Sequence, residues 1–369
     1  MNSQEAKPQA AIREQSLRKQ LLAWYDEHAR DLPWRESHDP YRVWLSEIML
    51  QQTRVAAVIA HYHEFLRRFP TVEKLARARE SSVLAAWSGL GYYRRARMLH
   101  AAAKVVARER GGKFPKTAEG LRELPGIGRY TAAAIASIAF GEPIAVVDGN
   151  VERVLQRFSG RRLAGEEFWV EAEALLDRAR PGDFNQALME LGASVCTPRS
   201  PACLTCPVVE LCATRGELAG ATKAPRQKKR EIHYALDHRV DRSHEGKVFL
   251  VQRPSDSRLM ARMWELPELA NPPRPHSLSF RRVAKRAGGT RFFPAPTSGV
   301  QGPGPSPYLT LKHSITITDY TVQVWRVPAP PHTTGKWIPL KSLSRIALTG
   351  LTRKILQKAE IIARPDRQV

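Results

Sequence analysis

Residues 42–54 read Arg-Val-Trp-Leu-Ser-Glu-Ile-Met-Leu-Gln-Gln-Thr-Arg, and they place one carboxyl group, Glu47, among large apolar side chains. Asp39 and Pro40 precede this stretch and are typical of the cap and the first residue of a helix. We therefore predict that the stretch is helical. Because apolar neighbours disfavour the charged form of a carboxyl group, Glu47 is a candidate proton donor. A half-exposed Glu on an amphipathic helix would show the same local pattern.

The composition is that of an ordinary folded protein with an unusual charge. The chain has 369 residues, 43% of them hydrophobic, which is enough for two domains with separate cores. Its net charge of +22 indicates a polyanionic partner. No stretch approaches the roughly 20 apolar residues that span a membrane, and the N-terminus lacks the apolar core of a secretory signal. We expect a nucleic acid partner, no membrane, and a reducing, cytoplasmic compartment.

Helical periodicity dominates up to residue 191, and no alternating strand pattern precedes residue 230, so the first domain is predicted to be all-α. Residues 89–95, Gly-Leu-Gly-Tyr-Tyr-Arg-Arg, interrupt the helices with aromatic rings beside positive charge. This combination suits stacking on nucleic acid bases together with attraction to phosphates. A glycine-rich helix junction with buried tyrosines would look the same.

Residues 124–131, Leu-Pro-Gly-Ile-Gly-Arg-Tyr-Thr, separate two predicted helices at 117–124 and 131–140. The segment is typical of a helix-hairpin-helix. Gly126 and Gly128 would permit a tight turn, so that backbone N–H groups at the start of the second helix face a phosphate oxygen. An ordinary helix–helix turn is the alternative interpretation.

Asp148 follows an apolar run and precedes another predicted helix. Either Asp148 or Asn150 would serve as its N-cap. A carboxylate at a helix start is stabilised as an anion by N–H groups and by the helix dipole. Glu47 with its proton and Asp148 without one would form the carboxyl pair that glycosidic bond cleavage requires.

All four cysteines of the chain lie close together, in the spacing C-x6-C-x2-C-x5-C. Four thiols in one short loop of a protein from a reducing compartment predict a metal centre, either a four-cysteine iron-sulfur cluster or structural zinc. The spacing favours the cluster, because zinc sites usually show two short cysteine pairs and this loop has one. The predicted ligands are Cys196, Cys203, Cys206 and Cys212.

The pattern changes after a basic stretch at residues 223–230. Strand patterns follow at residues 232–240, 247–253 and 316–327, a closing helix at 350–362, and long loops rich in proline and glycine at 271–307. The second domain is therefore predicted to be α+β.

Together these motifs resemble the adenine DNA glycosylases of the MutY family. The motifs that stand in the family's order are Leu-Pro-Trp34-Arg, Trp-Leu-Ser-Glu47-Ile-Met-Leu-Gln-Gln-Thr, Gly-Leu-Gly-Tyr92-Tyr, Leu-Pro-Gly-Ile-Gly, Val-Asp148-Gly-Asn-Val and the cysteine spacing. The resemblance implies a helix-hairpin-helix glycosylase domain at residues 1–217 with a [4Fe–4S] cluster at 196–212, a basic linker at 218–231, and a Nudix-like lesion-recognition domain at 232–369. It also implies a monomer acting on duplex DNA with adenine opposite 8-oxoguanine or guanine.

The resemblance further implies roles for individual residues. Glu47 would protonate a flipped adenine, and Asp148 would stabilise or trap the sugar cation. Tyr130 and Asn150 would support both groups by hydrogen bonding. The residues expected to contact DNA are Gln52, Tyr92, Gly126, Gly128 and Thr316.

Two departures from related patterns refine these expectations. Tyr130 stands where the related endonuclease III-type enzymes carry a lysine nucleophile, so we expect base removal with little or no strand cleavage. Ile315-Thr316-Ile317 stands where the family's lesion-reading loop typically has Phe-Ser-His. Thr316 would either read the lesion through its hydroxyl or be an ordinary strand residue. Two alternatives remain open: a mismatch glycosylase for thymine or another base, and a non-catalytic iron-sulfur damage sensor.

Overall fold

In the computed structural model the chain divides into two units, residues 1–223 and 224–369. The residues that the structure describes are 3–218, 228–240, 245–257, 260–271, 306–315 and 318–363, with side chains from residue 12 onward. None of the helices in these described ranges has the length and apolar character needed to cross a membrane.

The first unit is built from helices, as its periodicity predicts, and no strand occurs in its described residues 3–218. In chain order they are α1 Ser3–His28, α2 Pro40–Leu50, α3 Val55–Arg68, α4 Val72–Arg77, α5 Glu80–Ala86, α6 Arg94–Glu109, α7 Ala118–Arg122, α8 Arg129–Phe140, α9 Gly149–Ser159, α10 Glu167–Leu175 and α11 Pro181–Ser194. Helix α8 packs against α2, α7 and α11, and α11 also packs against α9. These four contacts bring the predicted site helices together.

Helix α2 begins where the sequence predicts but ends earlier. Asp39 caps it by accepting the N–H of Tyr41 at 2.8 Å, and Pro40 is its first residue. The prediction that residues 42–54 are helical throughout is wrong, because α2 ends at Leu50 and Gln52 has a left-handed φ of +55°. A non-glycine residue in that region cannot continue a right-handed helix.

The hairpin between α7 and α8 uses its two glycines differently. Gly126 has a φ of +77°, and a Cβ atom added to it would lie 2.4 Å from Cβ of Met98 in α6. Gly128 is the N-cap residue of α8 with an ordinary φ of −88°, and an added Cβ would meet no described atom within 4 Å. The turn therefore requires glycine at position 126 only, and the predicted need for glycine at 128 is not explained by the fold.

The described residues of the second unit form two four-stranded sheets and one closing α-helix. Its strands are β1 Lys228–Ala235, β2 His238–Val240, β3 Gly246–Gln252, β4 Trp264–Glu265, β5 Glu268–Leu269, β6 Leu309–Ile315, β7 Thr318–Trp325 and β8 Lys336–Pro339, and the helix is α12 Gly350–Lys358. The first sheet has the order β5-β1-β7-β6, with β1 parallel to β7. In the second sheet β3 pairs with β2, β4 and β8. Both sheets and α12 contribute side chains to one apolar core.

Two predictions for this unit need correction, and parts of two predicted segments cannot be compared with described residues. Strand β1 begins at Lys228, inside the stretch predicted to be a linker. The strand predicted at residues 232–240 is two strands in different sheets, because the Phe249 N–H binds the carbonyl oxygen of Asp237 at 3.0 Å and directs the chain into the second sheet. Residues 219–227, most of the predicted linker, and 272–305, most of the predicted loops, lie outside the described residues.

The glycine asymmetry of the hairpin leads to a stability prediction. Gly126→Ala should destabilise the first unit by about 1–3 kcal/mol, because the new methyl group adds left-handed strain and overlaps Met98. Gly128→Ala is the matched control and should change stability by less than about 0.5 kcal/mol. Urea denaturation followed by circular dichroism measures both. Equal effects of the two substitutions would contradict the structural difference.

Candidate functional site

Glu47 lies on α2 with only 6% of its surface exposed, and it accepts a 2.8 Å hydrogen bond from the Tyr130 hydroxyl group. Burial raises the pKa of Glu47 from its ordinary 4.5 to about 7, the Tyr130 hydrogen bond opposes that rise, and the charge of Asp148 adds to it. A carboxyl group with this pKa is partly protonated at neutral pH and can donate its proton. The apolar neighbours in the sequence predict the same direction.

Asp148 is the N-cap of α9, and its carboxyl group faces three N–H donors. Oδ1 accepts the backbone N–H groups of Asn150 and Val151 at 2.9 and 2.7 Å, and Oδ2 accepts the side-chain amide of Asn150 at 3.0 Å. These donors and the helix dipole stabilise the carboxylate as an anion. The capping and the electrostatic interpretations of Asp148 therefore rest on the same contacts.

Tyr130 lies in the first turn of α8 and donates its hydroxyl hydrogen bond to Glu47. Burial raises its pKa well above 10, and the nearby charges of Glu47 and Asp148 raise it further. The phenol is therefore neutral and serves as a hydrogen-bond donor. Its oxygen also lies 3.5 Å from Sδ of Met189. The structure thus brings Glu47, Tyr130, Asp148 and Asn150 into one site, because Asp148 acts electrostatically on both of the first two groups.

A buried ion-pair group beside this site was missed by the sequence analysis. Glu190 in α11 accepts hydrogen bonds from Arg30 at 2.9 Å and from Arg35 at 2.8 Å. Burial opposes ionisation of Glu190, but these two arginines outweigh it and lower its pKa. The charge of Arg35 in turn lowers the pKa of Glu47. The sequence shows Arg35 in the motif Leu-Pro-Trp-Arg, but nothing near this motif indicates Glu190 as its partner.

Asn150 is held from two sides by residues that the sequence analysis also missed. Its Oδ1 accepts a 2.8 Å hydrogen bond from Arg153, whose guanidinium also donates to the carbonyl oxygens of Gly192 and Cys196 at 2.6 and 2.7 Å. A Cβ atom added to Gly192 would lie 2.7 Å from Cβ of Asn150. The spacing of three residues between Asn150 and Arg153 on one helix was the signal for this pair.

The residues predicted to contact DNA differ in their solvent exposure and backbone conformation, and one of them is not among the described residues. Gln52 and Tyr92 are exposed, Tyr92 by 48%, and both have left-handed φ angles, +55° and +45°. Such a backbone is strained for a residue with a side chain and is common at functional sites. Gly126 and Gly128 lie in the hairpin described above. Thr316 lies outside the described residues.

The four cysteines line one cavity, together with the side chains of Arg157 and Arg215. None is in a disulfide. Arg157 lies 3.4 Å from Sγ of Cys196, and the backbone N–H of Arg215 lies 3.5 Å from Sγ of Cys212. N–H donors directed at sulfur suit an anionic cluster held by thiolates. Among the described residues, no three metal-binding side chains converge on a point that would suit a single ion.

Comparison with known families and proteins agrees with both parts of the site. Residues 45–167 match the model of the HhH-GPD superfamily base excision DNA repair proteins. Residues 196–212 match the iron-sulfur binding domain of endonuclease III. The chain therefore carries a [4Fe–4S] cluster, and the cavity lined by the four cysteines has the donor set that such a cluster requires.

The most similar relatives include adenine DNA glycosylases. The one from Homo sapiens is 51% identical over 215 residues, which span 54% of this chain but only 39% of the human protein. The one from Mus musculus is 36% identical over 94% of this chain and 78% of the mouse protein. Among solved structures, a thermostable thymine-DNA glycosylase is 31% identical with a TM-score of 0.53, over 56% of this chain and 98% of that one.

From the raised pKa of the buried Glu47 we predict that the folded protein loses stability as the pH rises. Because its pKa in the folded protein, about 7, exceeds its ordinary 4.5, the folded state binds more protons than the unfolded state between these values. Wild type should therefore lose about 3 kcal/mol relative to Glu47→Gln as the pH rises from about 4 to about 8. Urea denaturation at several pH values measures this, with Glu119→Gln on the exposed face of α7 as the control. Parallel pH profiles for wild type and Glu47→Gln would contradict a buried neutral acid.

From the four-cysteine loop we predict the iron and sulfide content of the purified protein. The purified protein should contain about four iron and four sulfide ions per chain and show visible charge-transfer absorption. Cys206→Ser should lower the iron content, whereas Thr205→Ser beside it should not. Stoichiometric zinc in place of iron would contradict the assignment.

Proposed function

The chain belongs to the MutY family of adenine DNA glycosylases, and we propose on that basis that it removes adenine mispaired with 8-oxoguanine or guanine from duplex DNA, in base excision repair. The observation that carries this proposal is the pairing of Glu47 and Asp148 in one site with opposite electrostatic surroundings. The pKa of Glu47 is raised by burial, and Asp148 faces three N–H donors. Cleavage of a glycosidic bond through an oxocarbenium-like sugar needs one group of each kind.

The reaction begins with a flipped adenine, because the target atoms are not accessible within the stacked duplex. Glu47 in its neutral form donates its proton to a ring nitrogen of the adenine, which makes the base a better leaving group. The bond between the base and the sugar then breaks, and its electrons leave with the adenine. Asp148 stabilises or traps the sugar cation until water adds, and the products are free adenine and an abasic site.

Tyr130 and Asn150 act on the two acids rather than on the bond. The Tyr130 hydroxyl group donates to Oε2 of Glu47 and so orients the acid. The Asn150 amide donates to Oδ2 of Asp148. Because Tyr130 offers no amine, the protein forms no Schiff base through this position, and we expect little or no strand cleavage.

Duplex DNA is the partner that the charge and the hairpin favour. The net charge of +22 supplies a sequence-independent attraction to phosphates. The N–H groups at the start of α8 bind a phosphate oxygen. No described atom lies within 4 Å of a Cβ added to Gly128, so the space beside this residue is open and the backbone can approach the phosphate closely. Gln52 and Tyr92, hereafter the wedge residues, enter the base stack beside the lesion.

The second unit is assigned as the Nudix-like lesion-recognition domain, and because its first strand begins at Lys228, the domain takes in the end of the predicted linker at 218–231. Its mixed sheet, with β1 parallel to β7 and β6 antiparallel to β7, supports this assignment. Its sequence has no Arg-Glu-x-x-Glu-Glu hydrolase signature, so the domain reads the lesion without hydrolysing nucleotides. Thr316 is the candidate for reading 8-oxoguanine.

Excision of thymine is the second candidate, because the thermostable thymine-DNA glycosylase shares 31% identity with this chain. Glu47, placed to protonate a base in a buried site, favours adenine. A panel of duplexes separates the two activities.

The deciding experiment is single-turnover excision with A opposite 8-oxoguanine, G or C, and T opposite G, before and after alkali. Wild type should release adenine from A opposite 8-oxoguanine and G, with strand breaks only after alkali. Glu47→Gln should bind the same duplex but lose excision by at least about 100-fold, since it has no proton to donate. Glu119→Gln is the matched control. Full excision by Glu47→Gln, or release of thymine alone, would contradict the proposal.

A further inference from the structure

Arg95 in α6 donates hydrogen bonds to two separate segments. Its Nη1 donates to the carbonyl oxygens of Ile48 and Met49 at 2.7 and 3.0 Å, at the end of α2. Its Nη2 donates to the carbonyl oxygen of Leu90 at 3.0 Å and to the Thr53 hydroxyl group at 3.1 Å. One planar guanidinium therefore joins the end of the helix that carries Glu47 to the glycine-rich loop at residues 88–93.

The partial burial of this cation makes the arrangement sensitive to position. Burial lowers the pKa of Arg95 to about 10, so the side chain stays charged at neutral pH. These acceptors of Arg95 are carbonyl and hydroxyl oxygens and carry no formal charge. Carbonyl dipoles and the negative end of α2 therefore stabilise the positive charge. A shift of either segment would remove acceptors from a buried charge, which is costly.

Each of the two segments that Arg95 joins contains one wedge residue. Gln52 follows the end of α2, and Tyr92 ends the loop, with its ring centroid 5.6 Å from the guanidinium carbon. Both wedge residues have left-handed φ angles. A strained backbone of this kind persists only where neighbouring contacts hold it, and Arg95 bonds to Thr53, one residue from Gln52, and to Leu90, two residues from Tyr92.

We propose that Arg95 is a positioning residue that sets the wedge residues relative to Glu47, so that extrusion of the adenine delivers it to the proton donor. The proposal rests on the proposed function, in which the wedge residues enter the base stack. Arg95 touches neither base nor sugar. Its loss should therefore impair extrusion of the base while leaving duplex binding, which depends on phosphate contacts, nearly unchanged.

The test uses Arg95→Lys in the full-length protein. Lysine keeps the positive charge but presents its donors from a single nitrogen, which cannot serve both segments as the guanidinium does. Single-turnover excision of adenine opposite 8-oxoguanine should fall by about 10- to 100-fold. Arg110→Lys is the matched control at the end of the same helix, where the side chain pairs with Glu123 at 2.5 Å, and it should excise at the wild-type rate.

A second readout isolates the extrusion step. In a Glu47→Gln background, which stops the chemistry, 2-aminopurine in place of the target adenine reports unstacking by its fluorescence. Arg95→Lys should lower the fluorescence gain at saturating protein by at least about two-fold, with a duplex dissociation constant within about three-fold of the parent. The iron content of Arg95→Lys should match wild type, and the variant should remain folded at the assay temperature, although the lost hydrogen bonds lower its Tm.

The outcomes separate the positioning role from other causes. A wild-type excision rate, an unchanged fluorescence gain, or a loss of activity that follows only loss of iron or of fold would each overturn the positioning role. Absence of adenine excision by the wild-type protein would instead overturn the proposed function, and the fluorescence readout would still test Arg95.

Discussion

The burial of one carboxyl group, Glu47, is the constraint on which the rest of the site depends. Its apolar surroundings raise its pKa to about 7, so the group holds its proton at a pH where an exposed Glu would have lost it. The Tyr130 hydroxyl group then orients the acid without removing its proton, because burial raises its own pKa well above 10. The negative charge of Asp148 can approach Glu47 for the same reason, since a neutral acid does not repel it. The two acids thus share a site that two carboxylates would avoid.

The helical unit packs α9 and α11 through a shared apolar core and holds the site residues by further polar and close contacts. Helix α8 supplies Tyr130, α9 supplies Asp148, and α11 supplies Gly192, which admits Asn150 where any larger residue would collide with it. The Arg153 guanidinium then joins Asn150 to the backbone of Cys196. The cysteine loop and the anionic side of the site are therefore connected through one side chain. Sites of this kind commonly reduce stability in exchange for function.

Features encoded by neighbouring residues could be predicted from the sequence, and features created by folding could not. The cap at Asp39, the cap at Asp148 and the cysteine spacing each involve a few adjacent positions, so the sequence alone indicated them. The bond between Arg35 and Glu190 joins residues 155 positions apart, and no local pattern indicates it. The end of α2 was predicted wrongly for the same reason, since the carbonyl groups at that end are bound by Arg95 from another helix. Likewise, the close approach of Met98, which adds to the left-handed φ in requiring glycine at position 126, is seen only in the folded chain.

The buried Glu47 and the partly buried Arg95 illustrate why glutamic acid and arginine take different roles. An apolar environment can bring the pKa of Glu47 to neutrality, so the acid loses its charge and becomes a proton carrier. The same kind of environment lowers the pKa of Arg95 only to about 10, so the guanidinium keeps its charge and needs hydrogen-bond acceptors. Those acceptors are backbone carbonyl groups, which move only if the chain itself moves. A buried arginine consequently fixes segments of backbone, whereas a buried glutamic acid stores a proton. The site needs both residues, because the proton of Glu47 is useful only if the target nucleobase is delivered to it.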